Sequence, residues 1–595
     1  MNSWAREWAT RFARIVGGLI LAGLLTGLSY AQNNVLVLVA DDLGADSIRA
    51  FGVGSAPPPT PNIDGLANRG VRFRHFWTNA VCSPTRACIQ TGRYSFRTFV
   101  GQAIPFGPSG VLPLEEYTIP EVLDAAGSGY AHAAIGKWHL GDATVGGDLA
   151  PNLAGWSHFA GIVSGGVHDY FDWQRTVDGV TNTSTEYATS KIVDDAVAWI
   201  AQQSGPWVCF VSFNAPHSPF HAPPAALHSQ DLTGKDPRTE PIPFYKAMVE
   251  AMDMEIGRLL GSLGAELATT NVLFLSDNGT DSAVIEPPFD PSKGKSTPYE
   301  LGISVPLIVC GPDVVGPSRQ VDHPIAAVDL FGTILELTGT DATSIVPPWL
   351  PLDSQPVVPY LQQPGRPSIR QFTFAEQFSS KDFTAVGTTG FATIRDFRYK
   401  LIRFYGGGSV QDELYDLWFD PRELFNLARL VLTQEQTRAK QALSDELNRL
   451  RSPAGVLSSF GSPTCVGSAG IPTSGGTGTP TIGQAYTVTL GGAPPTTAAA
   501  MVLGLSTDAW DAVPLPLPLS LIGSAPGCDL VVSPDAALPL FTDRIGAATF
   551  VIPLPRSLEL VGQRVYHTWL VADPLAPANP LGVTAANGTA VLIGL

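Results

Sequence analysis

Cations are scarce in this chain, long apolar runs are scarcer, and each shortage removes a class of function. Lysine and arginine together number 36 against 53 aspartates and glutamates, a formal net charge of −17 over 595 residues. Affinity for a nucleic-acid backbone needs clustered cations, so a nucleic-acid partner is excluded. Beyond the N-terminal leader no apolar stretch is long enough to cross a bilayer, and the processed chain is not expected to be an integral membrane protein. Hydrophobic residues at 44% and charged residues at 15% exclude wholesale disorder. Cysteine is also sparse, at positions 82, 88, 209, 310, 465 and 528. Cys209 and Cys310 lie in or just after apolar runs and read as buried thiols, while Cys465 and Cys528 fall together near the C-terminus and could pair there. One shortage is local. From Gly65 to Leu114 there is no acidic residue, whereas Arg69, Arg72, Arg74, Arg86, Arg93 and Arg97 all fall there. That positive island surrounds Cys82, and in an acidic protein it is the natural place for a small anion.

What is present divides the chain. Arg6, Arg11 and Arg14 precede the apolar run IVGGLILAGLLTGLS, and Ser29-Tyr30-Ala31 offers small residues at the cleavage positions. Residues 1–31 therefore read as a signal peptide cut near Ala31, which places the mature protein outside the cytoplasm. From Gln32 onward, continuous apolar runs such as VLVLVA, HAAIG, WVCFVSF, NVLFLS and PLIVC alternate with helical patterns at 61–70, 184–203 and 245–263. Runs buried on both faces, separated by helices, predict an α/β fold with a largely parallel central sheet. Residues 32–365 are expected to form this catalytic domain. Residues 366–452 predict a small antiparallel sheet followed by a helix, with Thr433 and Gln436 placed as a capping box. Residues 453–480 read as a Gly/Ser/Thr/Pro-rich linker, and 481–595, with three arginines and no lysine, as an all-β module.

The chemistry gathers immediately after the buried runs. Asp41-Asp42 follow VLVLVA, Lys137-Trp138-His139 follow HAAIG, His217 lies in NAPH after WVCFVSF, and Asp277-Asn278 follow NVLFLS, with Lys295 farther on. In an α/β sheet these positions can converge at one end. Three aspartates and an asparagine are hard oxygen donors that suit Ca²⁺ or Mg²⁺ rather than zinc. An arginine, two lysines and two histidines around such an ion would make a pocket for an oxyanion. Any one of these aspartates alone would read as a helix N-cap.

The stretch CSPTRACIQTGR, residues 82–93, resembles the signature of the type I sulfatases, C-x-P-[ST]-R followed by T-G-R. VADDLG, GKWHLG, NAPH, SDNG and K-x-x-x-Y-E-x-G-x-x-V-P resemble the family's other motifs in the same order. The likeness covers about residues 33–452, including ELYDLWFDPRELFNLA. It implies the α/β sandwich of the alkaline phosphatase superfamily and hydrolysis of sulfate esters, with a sulfated small molecule or glycan as substrate. It also explains Cys82. In this family a maturation enzyme oxidises that cysteine to formylglycine, with Pro84 and Arg86 completing the recognition motif and Cys88 a bystander. The hydrated aldehyde then supplies an oxygen nucleophile, and its second hydroxyl lets the covalent sulfate intermediate collapse.

Carried over by position, Asp41, Asp42, Asp277 and Asn278 hold Ca²⁺ (Mg²⁺ being the alternative) together with residue 82. Arg86 and Lys137 orient and neutralise the oxygens, His139 is the base on the second hydroxyl, and His217 and Lys295 bind the sulfate and protonate the leaving alcohol. Two features depart from the family. YELGISVP carries Leu301 and Ser304 where a Gly and an Arg are usual, and the β module lies outside the resemblance; without an evident aromatic platform it reads as structural or attachment-related. Trp156, Phe159, Tyr170, Phe171 and Trp173 either pack or stack on a substrate ring. Two rivals remain: a phosphonate monoester or phosphodiester hydrolase using the same site, and an unmatured, Ca²⁺-stabilised binding or adhesion protein.

Overall fold

The computed structural model describes residues 32–594 apart from 105–109, 348–349, 379–388, 407–408, 452–454, 462–464, 483, 512, 556–559, 561–562 and 578. The signal-peptide reading of residues 1–31 lies outside the described residues. Among those described, no helix is long and apolar enough to cross a membrane.

Ten strands form the central sheet. They are β1 (Asn34–Ala40), β2 (Gly70–Trp77), β3 (Ala131–Lys137), β4 (His158–Ile162), β5 (Trp173–Val177), β6 (Val180–Ser184), β7 (Trp207–Ser212), β8 (Thr270–Ser276), β9 (Leu307–Cys310) and β10 (Arg319–Ala326), in spatial order β10-β2-β9-β8-β1-β7-β3-β4-β5-β6. The central run β8-β1-β7-β3-β4 is parallel throughout. Strand β9 runs antiparallel between β2 and β8, and β5 and β6 close the far edge as a hairpin. The fold is thus the expected α/β sandwich with a mixed, largely parallel sheet.

The reason lies in β1, buried along its whole length. Val35, Val37 and Val39 face one layer, with Ala87 and Ile89 of α1 (Cys82–Thr91) and Phe331 and Ile334 of α2 (Asp329–Leu337). Leu36, Leu38 and Ala40 face the other, against Ile192 of α3 (Ala188–Ile200) and Met248 and Met252 of α4 (Pro241–Ser262). Each such side chain taken fully out of water contributes about 1.5–3 kcal/mol, so a run apolar on both faces can only be a central strand.

Beyond it, β11 (Thr373–Phe378), β12 (Thr389–Arg395), β13 (Tyr399–Gly406) and β14 (Ser409–Asp416) form an antiparallel sheet in sequential order. A helix, Gln434–Arg451, buries Leu443 and Leu447 beside it. Its start is the expected capping box: the Thr433 amide donates to Gln436 Oε1 at 2.9 Å and the Gln436 amide to Thr433 Oγ1 at 3.2 Å.

The C-terminal sheets begin earlier than the composition indicates. The stretch read as a linker holds two strands, Val456–Phe460, paired with Gly588–Leu592, and Thr473–Thr477, paired with Ala485–Gly491. Their Ser-, Thr- and Gly-rich sequences look like linker, but cross-strand hydrogen bonds need no particular side chain. A six-stranded and a three-stranded sheet share one core in which Tyr486, Val488 and Leu490 meet Met501, Trp569 and Val571. Cys465 and Cys528 form a disulfide, and Cys82, Cys88, Cys209 and Cys310 are free and buried.

Candidate active site

Strands β8, β1, β7 and β3 are neighbours and parallel, so whatever follows each of them arrives at one edge within a few strand spacings. Asp277 and Asn278 follow β8, Asp41 and Asp42 follow β1, the Phe213–His217 turn follows β7, and Lys137 ends β3 two residues before His139. Helix α1 starts at Cys82, and all ten of its residues are buried, Arg86 included. The structure brings the sequence-derived candidates together.

The charges pair one to one. Lys137 Nζ lies 2.6 Å from Asp41 Oδ2 with both side chains fully buried. Arg86 donates Nε to Asp277 Oδ2 at 2.9 Å and Nη1 to the Lys137 carbonyl at 2.9 Å. Lys295 Nζ lies 2.7 Å from both Asp42 oxygens, and Asn278 Nδ2 donates to Asp42 Oδ1 at 2.7 Å. His217 Nε2 is 3.7 Å from Asp42 Oδ2. His217 and Lys295 are the candidates with open side-chain surface, at 23% and 16% exposure, so they face the side from which an ester can enter.

Backbone strain concentrates here. Asp42, His139 and Ser296 are non-glycine residues in the left-handed region, at φ 68°, 60° and 69°. Each costs about 1–3 kcal/mol, which packing elsewhere must offset, and such strain gathers where side-chain direction matters more than stability.

Burial sets the titration of the site. It would raise the Asp42 carboxyl, but Lys295, His217 and Lys137 outweigh it and hold Asp42 well below the carboxylate range. Asp277 goes the other way: burial, reinforced by Asp41, outweighs Arg86 and raises it to about 6. Burial would lower Lys137, yet Asp41 outweighs it and raises this cation. His139 is driven well below 6.5 by burial and then by the Lys137 charge, so it is neutral at physiological pH and free to accept a proton. Burial raises the Cys82 thiol despite Lys137 and Lys295, which makes an unmodified thiol a weak nucleophile here.

The donors fit a hard divalent cation. Ligand atoms of Asp41, Cys82 and Asp277 lie within 4.8 Å of one another. Asp41 Oδ1 and Asn278 Oδ1 are buried with no hydrogen-bond partner, two oxygens whose desolvation an ion would satisfy.

Three supporting groups escaped the sequence reading. Ser212 Oγ accepts from Arg86 Nη1 at 2.5 Å, the Ile104 carbonyl lies 2.9 Å from His139 Nε2, and Gly165 approaches the His139 ring so closely that a Cβ would come within 2.4 Å of Nε2. Only Gly165, in the Ser-Gly-Gly turn, left a compositional trace. Of the five aromatics between 156 and 173, Trp156, Phe159, Tyr170 and Trp173 are packing residues at 1% exposure, and Phe171 is the open one at 39%. Leu301 and Ser304 line a cavity of about 440 Å³ beneath the C-terminal subdomain, outside the charged cluster.

The chain matches the Sulfatase family model over residues 33–340 and the model for the C-terminal part of N-sulphoglucosamine sulphohydrolase over 294–453. Arylsulfatase A of Homo sapiens is 28% identical over 466 residues, covering 69% of this chain and 86% of that one. N-acetylgalactosamine-6-sulfatase of Sus scrofa is 30% identical over 363 residues, 55% of this chain and 66% of the relative. Among solved structures, Ps i-CgsB in complex with a k-i-k-neocarrahexaose superposes with a TM-score of 0.59 at 24% identity, over 70% of this chain and 92% of that one, a likeness of fold. With a family model spanning more than half its length laid over this site, the chain belongs to the sulfatase family, sulfuric ester hydrolases of the alkaline phosphatase superfamily.

Proposed function

We propose that this sulfuric ester hydrolase works through a formylglycine made from Cys82, held beside a divalent cation, Ca²⁺ in the first instance and Mg²⁺ as the alternative. The observation that carries the reading is the meeting of Asp41, Cys82 and Asp277 ligand atoms within 4.8 Å, enclosed by Lys137, Arg86 and Lys295. Asp41, Asp42, Asp277, Asn278 and residue 82 would hold the ion, which supplies positive charge that makes an adjacent oxygen a better nucleophile. The hydrated aldehyde supplies that oxygen and a second hydroxyl.

The remaining work falls to this chain's own side chains. Arg86, fixed between Asp277 and the Lys137 carbonyl, and Lys137, fixed on Asp41, neutralise charge developing on the sulfuryl oxygens. His139, neutral and with Nδ1 unpartnered, takes the proton of the second hydroxyl. His217 and Lys295, at the open side, hold the entering sulfate and return a proton to the leaving alcohol. The catalytic unit is 32–365 with 366–452, and the accessory β module, expected over 481–595, takes in the strands Val456–Phe460 and Thr473–Thr477 as well. We place the protein outside the cytoplasm because residues 1–31 have the pattern of an export signal. Relatives named for a sulfated amino sugar, and a structural neighbour crystallised with a neocarrahexaose, favour a sulfated glycan as substrate.

The test is a paired hydrolysis assay. Protein co-expressed with a maturation enzyme and supplied with Ca²⁺ is given 4-nitrophenyl sulfate and bis(4-nitrophenyl) phosphate, and mass spectrometry reads the state of residue 82. A large preference for the sulfate with formylglycine present supports the reading. A preference for the phosphodiester makes the protein the rival hydrolase, and full sulfatase activity with an unmodified Cys82 overturns the nucleophile.

A further inference from the structure

Lys295 sits in an irregular stretch of the β8–β9 connection, between a 3₁₀ turn (Pro291–Lys293) and a short helix (Glu300–Ile303), yet its ammonium is held 2.7 Å from Asp42. Some of that precision is local: the Lys295 amide donates to the Thr280 carbonyl at 2.9 Å and the Ser296 amide to the Ala80 carbonyl at 2.8 Å. The rest comes from another part of the chain. Two residues before Lys295, Lys293 directs Nζ to the carbonyls of Arg422 and Glu423 and lies over the Tyr299 ring at 4.8 Å. Five residues after it, the Glu300 amide donates to the Glu423 carboxylate Oε2 at 2.7 Å. One residue of the C-terminal subdomain, Glu423, therefore grips the loop on both sides of Lys295, with its backbone on one side and its side chain on the other.

Glu423 is built for that grip. It is 2% exposed, and its φ of 56° places it in the left-handed region, unusual for glutamate. The turn that presents it is capped by Asp420, whose carboxylate accepts the amides of Leu424 at 2.9 Å and Phe425 at 2.8 Å. Glu423 Oε1 also lies 2.8 Å from Lys400 Nζ, and Lys400, fully buried on β13, reaches Glu300 Oε1 at 3.1 Å. Trp77 Nε1 donates to Glu300 Oε2 at 3.4 Å, tying the same loop back to the central sheet.

We propose that Glu423 is a positioning residue for Lys295, and that through it the C-terminal subdomain sets the geometry at the mouth of the active site. Misplacing a catalytic group by about 1 Å can cost roughly 10²-fold, so a lysine on an irregular stretch needs both of its flanks fixed. The inference rests on the reading that Lys295 acts on the ester.

The test is a double-mutant cycle on kcat/KM with 4-nitrophenyl sulfate, using the full, matured chain. Glu423→Ala is expected to lower kcat/KM about 10²-fold with Lys295 present, but less than about threefold in a Lys295→Ala background, because coupled residues are not additive. Glu423→Gln keeps the acceptor for the Glu300 amide and recovers most of the loss. Equal losses in both backgrounds would make Glu423 mere structural support and overturn the proposal. Should Glu423→Ala fail to melt cooperatively, Lys293→Ala, at a half-buried position on the other side of the grip, enters the same cycle with the same two outcomes. A Lys295→Ala protein as active as wild type would remove the role of Lys295 itself, a failure of the assigned mechanism that is visible before the cycle is read.

Discussion

The carboxyl edge of the central sheet and the C-terminal β module treat buried charge in opposite ways. At the sheet edge Asp41, Asp42, Asp277, Arg86, Lys137 and Lys295 are packed together, three of each sign, with strained backbone at Asp42 and His139. Such an arrangement is poor for stability, since two ions taken out of water recover their hydration only through near-ideal geometry. Among its described residues the module pairs no buried charges: Tyr486, Val488, Met501, Trp569 and Val571 make its core, its buried Asp573 is held by the Ser468 amide and hydroxyl, and its imidazole, His567, has a tyrosine hydroxyl 2.8 Å from Nε2 rather than a carboxylate. Stability and chemistry thus concentrate in different regions, which meet where Arg564 of the module comes within 3.8 Å of Glu116, the partner of Arg93. A perturbation of one region should leave the other's signature untouched.

The largest expected effect is on the chemical side. Cys82→Ala should lower kcat by roughly 10⁴-fold or more, as loss of a nucleophile does, with both melting transitions unchanged. Substantial residual turnover would break the assignment of residue 82. Next comes the module: Cys465→Ser with Cys528→Ser opens a loop of 63 residues and should cost about 4 kcal/mol, lowering the module's transition while kcat/KM stays at the wild-type value. A parallel loss of activity would mean that the module supports the site.

The third effect depends on pH. Burial lowers His567 to about 4 from the usual 6.5, so the folded module binds fewer protons than the unfolded one. Its contribution is complete above pH 6.5 and is lost as pH falls toward 4, by about 3 kcal/mol at pH 4 relative to neutrality. His567→Gln should flatten that slope; an unchanged slope in chemical denaturation would place the acid sensitivity elsewhere. Smallest is the response to the ion. Ca²⁺ at a hundred times its dissociation constant should add about 2.7 kcal/mol to the catalytic unit and nothing to the module. Calorimetry in Ca²⁺ and in a chelator reads this directly, and two superimposable traces would count against a cation at Asp41, Asp42, Asp277 and Asn278.

Much of the site was legible because Asp41, Asp42, Lys137, His139, His217, Asp277 and Asn278 lie at or just beyond the ends of buried strands. VLVLVA, HAAIG, WVCFVSF and NVLFLS are apolar on both faces, so the first polar residues after them have to lie at the sheet's end. Strands of other composition were harder to see. GVRFRHFW became β2 although its alternating arginines and histidine suggest a surface segment, and Thr473–Thr477 entered a sheet although TSGGT resembles a spacer. Glu423 lies within a family-like segment, but nothing in DPRELFNLA tells that its carboxylate will meet the amide of Glu300, 123 residues earlier.

The division has one physical origin. Hydrophobic burial depends on residue type and period, so the α/β class, the order of motifs and the oxygen-rich character of the site could be read from the chain alone. The pairing of Lys137 with Asp41 rather than Asp277, the neutrality of His139 and the grip on Lys295 depend on distance and local dielectric. Those quantities exist only once distant segments have been brought together, and tertiary structure alone decided them.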